Sequence, residues 1–431
     1  MTTPAVAAAL SGSFLDRIDS DLSDTDTFLT RTYPGEHGRR QPVHTVYVPA
    51  DHYTPDLPRQ WGDAALALVA EHGGMEALCS RLGLGAELIS QVAVRVNAKL
   101  QTEPIEDLRL DFEDGYGDRG DDAEDADAAQ AATTVAAAVT DGVAPAFVGL
   151  RFKCFEAPTR RRGIRTLDVF LATLLNELGE LPAGLVITLP KVSTVSQVEA
   201  MVAVCGELEA AHQLPPSSLR FEIQVETPQL ILGADGRAPV AAAIQAGAGR
   251  VTSLHYGTYD YSASIGVAAE YQSAEHPAAD YAKQVMQVAA AGTGVHLSDG
   301  STNLLPVGTP EQVRAAWRVH ADLVRHGLER AYYQGWDLHP GQLPTRFITN
   351  FAFYRKGFPS ATRRLADYVQ HTGSGILDEP ATARALARYL YRGFACGAVD
   401  ETELAAATHL DSTELELLAR PKSDTEHVTT T

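Results

Sequence analysis

The chain has 431 residues, 45% of them hydrophobic and 21% charged, which suits one large folded domain with additions, or two domains. Its formal net charge of −20 argues against a nucleic-acid binder, which needs a basic footprint to displace counterions. Four cysteines (Cys79, Cys154, Cys205 and Cys396) stand far apart with no CxxC pair, so neither a disulfide framework nor a zinc site is expected and a reducing cytoplasm fits. Residues 1–30 carry no signal-peptide pattern, and no apolar run reaches membrane-spanning length.

Residues 1–40 are polar, with acids at Asp16, Asp19, Asp21, Asp24 and Asp26, and read as a helix or a loose arm. After them, short β-rich runs alternate with longer helical ones. HTVYVP (44–49), LRLDFED (108–114), AFVGLRF (146–152) and LVITLPK (185–191) read as the first four strands. LRFEIQVET (219–227), RVTSLHYG (250–257), GVHLSDG (294–300) and AYYQGWDLHP (331–340) read as the next four. Alanine- and leucine-rich stretches at 122–140, 165–179, 194–212, 278–291 and 310–330 fill the gaps as helices.

Alternating strands and helices imply parallel βαβ units, and eight of them imply a closed α/β barrel, a (β/α)₈ TIM barrel, over 41–345. An open doubly wound sheet is the alternative, but no GxGxxG follows the first strand. The arm at 1–40 precedes the barrel, a helical region at 346–420 follows it, and 421–431 reads as a disordered tail.

Active-site groups of such barrels sit at the C-terminal ends of the strands. Polar residues gather there: Asp111, Glu113 and Asp114 after strand two, Arg151 and Lys153 on strand three, Lys191 after strand four and Glu226 after strand five. Strand six leads to His255 and Asp260, and strand eight to Asp337 and His339. Mg²⁺ favours carboxylate oxygens and keeps several waters for a substrate to displace. Glu226 and Asp260 follow neighbouring strands and are the candidate ligands, the other reading being solvated acids or ion pairs.

In order along the chain, Val48-Pro49-Ala50, Asp111-Phe112-Glu113-Asp114-Gly115, Leu150-Arg151-Phe152-Lys153 and Pro190-Lys191 match motifs written VPG, DLEDA, VRIN and PK. Glu226-Thr227, Tyr256-Gly257-Thr258-Tyr259-Asp260, Leu338-His339-Pro340-Gly341-Gln342 and Leu377-Asp378-Glu379-Pro380 match ET, FGxxD, IHPxQ and MIDxP. The ordered set, over roughly 43–395, resembles the HpcH/HpaI aldolase and citrate lyase β-subunit family of phosphoenolpyruvate/pyruvate-type barrels. VPA in place of VPG and LRFK in place of VRIN are departures from its pattern.

The resemblance implies a barrel that holds Mg²⁺ (Mn²⁺ as substitute) and performs enolate chemistry on 2-oxo acids, hydroxy acids or acyl-CoA thioesters. It also implies a homo-oligomer, trimeric or hexameric. On that reading Arg151 fixes a substrate carboxylate, the alternative being a structural ion pair with the acidic cluster; Glu113 and Asp114 orient Arg151, waters or the metal's surroundings, and Lys191 is a ligand contact or a strand-end ion pair. Asp378 is a base in catalysis or the N-cap of the helix that follows Pro380. His339 reads as a buried histidine with a structural hydrogen bond. The nine acids between Asp111 and Asp127 read, beyond Asp114, as a solvated loop and a helix's first turn. Arg160, Arg161, Arg162 and Arg165 either receive a phosphate or CoA tail or balance those acids. The leading expectation is an aldol- or Claisen-type carbon–carbon lyase. A malate-synthase-like condensing enzyme or thioesterase and a non-catalytic ligand-binding barrel are the alternatives.

Overall fold

The computed structural model describes residues 9–36, 38–370 and 379–420. Eight parallel strands form one sheet: β1 (Thr45–Pro49), β2 (Asp107–Asp111), β3 (Phe147–Arg151), β4 (Leu185–Leu189), β5 (Phe221–Val225), β6 (Val251–Tyr256), β7 (His296–Ser298) and β8 (Trp336–Asp337). Neighbours in sequence are neighbours in space from β1 to β7, and β8 returns to pair with β1. A parallel bridge between Ser298 and Gln334 joins β7 to the approach of β8 and closes the ring. Seven strands fall within the spans expected from the sequence, and β2 begins one residue before its expected span of 108–114.

The helices run α1 (Gly12–Thr32), α2 (Leu57–Glu71), α3 (Met75–Arg81), α4 (Ala86–Thr102), α5 (Asp121–Thr140), α6 (Arg160–Leu178), α7 (Val195–Ala211) and α8 (Pro228–Ile231). They continue as α9 (Pro239–Ala246), α10 (Thr258–Ser264), α11 (Pro277–Ala290), α12 (Pro310–Glu329), α13 (Leu343–Val369), α14 (Pro380–Ala395), α15 (Glu401–Thr408) and α16 (Ser412–Ala419). Local signals set their ends. Thr194 with Gln197 and Thr309 with Gln312 form capping boxes that start α7 and α12, and Gly179 in the left-handed region stops α6.

Period-two alternation sorts the strand residues. Leu108 and Leu110 of β2 and Phe221, Ile223 and Val225 of β5 are buried apolar residues of the helix-facing core. Their neighbours Asp107, Arg109, Glu222 and Gln224 point into the barrel. There Arg109 donates to Thr188 at 3.0 Å, to Glu222 at 2.8 Å and to Asp107 at 3.0 Å, and His255 lies 3.0 Å from Glu222. This ionic pillar stands inside the barrel.

Helix α13 follows β8 through one short turn and packs on α12, α4 and α2, so it runs through position 345 as a continuous part of the outer ring. Helices α14 and α16 pack together beyond it. Of α1 only Thr32 is buried, while Leu15, Ile18, Leu22, Phe28 and Leu29 stand exposed along it. All four cysteines are free and buried. No described helix is long and apolar enough to cross a membrane. The 421–431 tail lies outside the described residues.

Candidate active site

Seven of the residues singled out by sequence converge at the C-terminal mouth. Arg151 ends β3 and is buried. Its Nε and Nη2 donate to the two carboxylate oxygens of Asp111, both at 2.7 Å, and its Nη1 lies 3.5 Å from Glu113. The guanidinium carbon stacks 4.8 Å from the centre of the Tyr47 ring. Asp111 also accepts from the backbone of Glu113 at 3.0 Å and of Gly115 at 2.8 Å, so the turn after β2 wraps around one carboxylate.

Glu226 follows β5 and is 3% exposed. Its Oε1 accepts the backbone N–H of Lys191 at 2.8 Å. Lys191 takes a left-handed backbone (φ 50°), a rare conformation for a side-chain-bearing residue that turns the chain over Glu226. The Lys191 ammonium lies 2.8 Å from Glu113, 2.7 Å from Asp114 and 3.7 Å from Asp260. Asp260, in the first turn of α10, is partly open to solvent. Gly257 lets α10 approach: a Cβ there would meet the Cβ and Oε2 of Glu226, each at 2.5 Å.

The electrostatics follow from this crowding. Burial pushes the Glu226 carboxyl up to about 8; Arg151 opposes the shift, and Asp260 and Glu113 add to it. Burial also raises Glu113 against the pull of Arg151. Lys191 is held above its ordinary value by Asp114 and Glu113, although burial acts the other way. Four acids, Glu113, Asp114, Glu226 and Asp260, thus crowd around Lys191. Among the described residues no three or more His, Cys, Asp or Glu side chains form a metal cage. Two carboxylates, one buried and one wet, are nevertheless a donor set that fits a hydrated Mg²⁺, and the raised Glu226 is a group that a divalent cation would relieve.

Other candidates fall elsewhere. Asp337 does not join the mouth: it is fully buried among His44 (2.8 Å), His320 (2.9 Å) and Arg346 (2.9 Å), which tie β8 to α12 and α13. The cause is register, since Asp337 pairs with Val46 near the start of β1. His255 also leaves the mouth for the pillar below it. His339 accepts from the backbone of Gly341 at 3.0 Å, a structural cap as expected. Lys153 binds the carbonyls of Phe112 (3.0 Å) and Gly117 (3.1 Å) and pairs with Glu124. Glu124 is therefore not solvated but 1% exposed. Arg162 and Arg165 both pair with Asp125, which takes them away from an anion site. Asp378 lies outside the described residues.

Three features at or beneath the mouth are not apparent from the sequence. Asp111 is the clamp on Arg151, and the Tyr47 hydroxyl and both polar atoms of the Gln224 amide are buried without a hydrogen-bond partner. The legible signal was alternation. Asp107, Arg109 and Asp111, and Glu222, Gln224 and Glu226, place polar residues on every second position of strands that must be buried.

The family described as "Domain of unknown function (DUF6986)" matches residues 22–423. No curated protein matches the chain. Among solved structures, a citrate lyase from Burkholderia xenovorans LB400 is 19% identical, with a TM-score of 0.54 over 86% of this chain and 97% of that one. A Haloferax volcanii malate synthase complex with magnesium and glyoxylate is 14% identical, with a TM-score of 0.48 over 90% and 100% of the two chains. The Mycobacterium tuberculosis protein CitE, in complex with magnesium, acetoacetate and coenzyme A, is 15% identical, with a TM-score of 0.47 over 84% and 99%. The likeness to the citrate lyase is one of fold, and it agrees with the resemblance carried by the ordered motifs.

Proposed function

The chain belongs to the DUF6986 family, and from that premise we propose that it is a Mg²⁺-dependent carbon–carbon lyase or condensing enzyme of the aldol or Claisen type. Its substrate on this reading is a 2-oxo acid, a hydroxy acid or its CoA thioester. The observation that carries the reading is the convergence of Glu226 and Asp260 with the Asp111-clamped Arg151 at one mouth of a barrel with the fold of a citrate lyase.

Glu226 and Asp260 are the residues that would hold the metal. Bound there, Mg²⁺ supplies Lewis-acid stabilisation of the negative oxygen of an enolate. The protein's own groups do the rest. Asp111 occupies the Nε–Nη2 edge of Arg151 and leaves the Nη1–Nη2 edge for a substrate carboxylate. Glu113 holds the Lys191 ammonium beside that position. The unpartnered Tyr47 hydroxyl and Gln224 amide lie below as donors for an ordered water or a substrate oxygen. Asp378 is retained as a candidate base by motif alone. The exposed apolar residues of α1 support a homo-oligomer, whose trimeric or hexameric form and cytoplasmic setting are carried over from the family resemblance.

Metal dependence tests the reading. EDTA should abolish turnover in a mass-spectrometric screen of 2-oxo acids and acyl-CoA thioesters, and Mg²⁺ or Mn²⁺ should restore it. Calorimetric Mg²⁺ titration should show weaker binding in Glu226→Gln and Asp260→Asn, with both variants folded. Equal affinity in all three proteins would sink the metal assignment.

A further inference from the structure

A cavity of about 800 Å³ opens at the N-terminal end of the barrel, opposite the mouth that holds Glu226 and Arg151. The segments leading into β1, β4, β5, β6 and β7 build its walls, and Arg109, Glu222 and His255 form its floor. Its volume is that of a small-molecule site, typically about 300–1,000 Å³. The bottom of such a barrel is ordinarily packed with side chains.

The charges around this cavity are unbalanced. On the floor, Asp107 and Glu222 are both taken up by Arg109. Arg40 on the wall is paired with Glu103 and Glu106. Arg31, Arg39 and Arg220 also line the cavity, and none of the three has a carboxylate partner among the described residues. Arg39 and Arg220 are close enough to repel: burial first, and then Arg39, hold Arg220 below the ordinary arginine value. In a chain of net charge −20, Arg39 and Arg220 thus bring two guanidiniums to one concave surface, neither with a carboxylate partner among the described residues. Guanidinium groups recognise carboxylate and phosphate oxygens through paired N–H donors. Apolar residues such as Phe147, Leu185 and Ile244 line the same cavity.

We propose that this N-terminal cavity binds a small organic anion, its phosphate or carboxylate held between Arg39 and Arg220 and its uncharged body directed into the barrel. The site shares no residue with the C-terminal mouth, so occupancy does not require the metal.

Calorimetric titration of the full chain in EDTA, with inorganic phosphate, glycerol 3-phosphate and glutarate as probes, tests the proposal. At least one probe should bind at a single site in the parent. Glycerol 3-phosphate against glutarate separates phosphate from carboxylate recognition, and inorganic phosphate shows what the head group does alone. Arg39→Gln/Arg220→Gln should weaken binding roughly a hundredfold, about tenfold for each charge-assisted hydrogen bond removed. Glu226→Gln, altered only at the far mouth, should bind as the parent does. Both rim positions are at least partly exposed, so circular dichroism and melting should match the parent. Failure of all three probes to bind the parent at millimolar concentration would overturn the proposal, as would equal affinity in the folded rim variant.

Discussion

Arg151 and Asp111 meet fork to fork, with Nε and Nη2 of the guanidinium each 2.7 Å from a different carboxylate oxygen. The pair joins adjacent strands at the point where β3 ends, and both residues are buried. One edge of Arg151 is thereby fixed, and its Nη1 lies 3.5 Å from Glu113.

Two variants separate clamp from anchor. Asp111→Asn removes the bidentate partner of the buried Arg151 charge and leaves Glu113 at 3.5 Å from it, so stability should fall by about 3–5 kcal/mol in denaturant melts. Arg151→Lys keeps a charge but loses the planar fork. It should fold, with kcat/KM lower by about 1–3 kcal/mol on the true substrate. Unchanged kinetics would reject the anchor role.

Glu226 carries a pH signature. Its folded-state value of about 8 lies above the ordinary 4.5, so the folded chain binds this proton more tightly than the unfolded chain does. The stability it contributes is fully present below the unfolded value and is lost as pH rises through about 8. Metal-free protein should therefore melt at a falling temperature between about pH 5 and pH 9, and Glu226→Gln should flatten that slope. Mg²⁺ affinity should rise over the same interval, because the ion displaces the proton. A parent slope no steeper than that of the variant would show that this carboxyl is not raised.

Gly257→Ala tests the closeness of α10 to Glu226. The backbone there, at φ −98°, accepts any residue, but the added methyl carbon would sit 2.5 Å from Glu226. Overpacking of this kind costs about 1–3 kcal/mol, and here it displaces a proposed ligand. Mg²⁺ affinity should drop while circular dichroism stays unchanged. Parent-like affinity would mean that Glu226 yields without consequence.

Arg109→Met removes the centre of the interior pillar and leaves Asp107 and Glu222 without their shared cation. Such a loss costs about 3–5 kcal/mol. The midpoint of urea unfolding should fall accordingly. A midpoint within error of the parent would mean that water replaces the guanidinium at no cost.

The spans of the eight strands were legible because hydrophobic runs of strand length alternate with helical ones, as at 185–191 before 194–212. Glu226, Asp260, Arg151, Glu113, Asp114 and Lys191 could be selected because strand ends are where a barrel exposes polar groups. Asp337 and Glu124 went astray for a related reason. In sequence the first reads as a strand-end group of the mouth and the second as a solvated acid, yet His44, His320 and Arg346 bury the first, and Lys153 and Thr166 bury the second. Their partners lie far away along the chain or on another element, where local pattern carries no information.

The sequence by itself determined the alternation of strands and helices, the inward and outward faces of each strand, and which residues stand at strand ends. These follow from periodicity, which is a local property. Only the tertiary structure decided which carboxylate clamps Arg151, why Lys191 turns over Glu226, and that Arg39 and Arg220 face one cavity unpaired. Those outcomes depend on how the elements are set side by side: β2 against β3 brings Asp111 to Arg151, β4 against β5 brings Lys191 to Glu226, and closure of the ring gathers the segments before β1 and β5 around one cavity, so residues dozens of positions or more apart meet in ways that a local pattern does not encode.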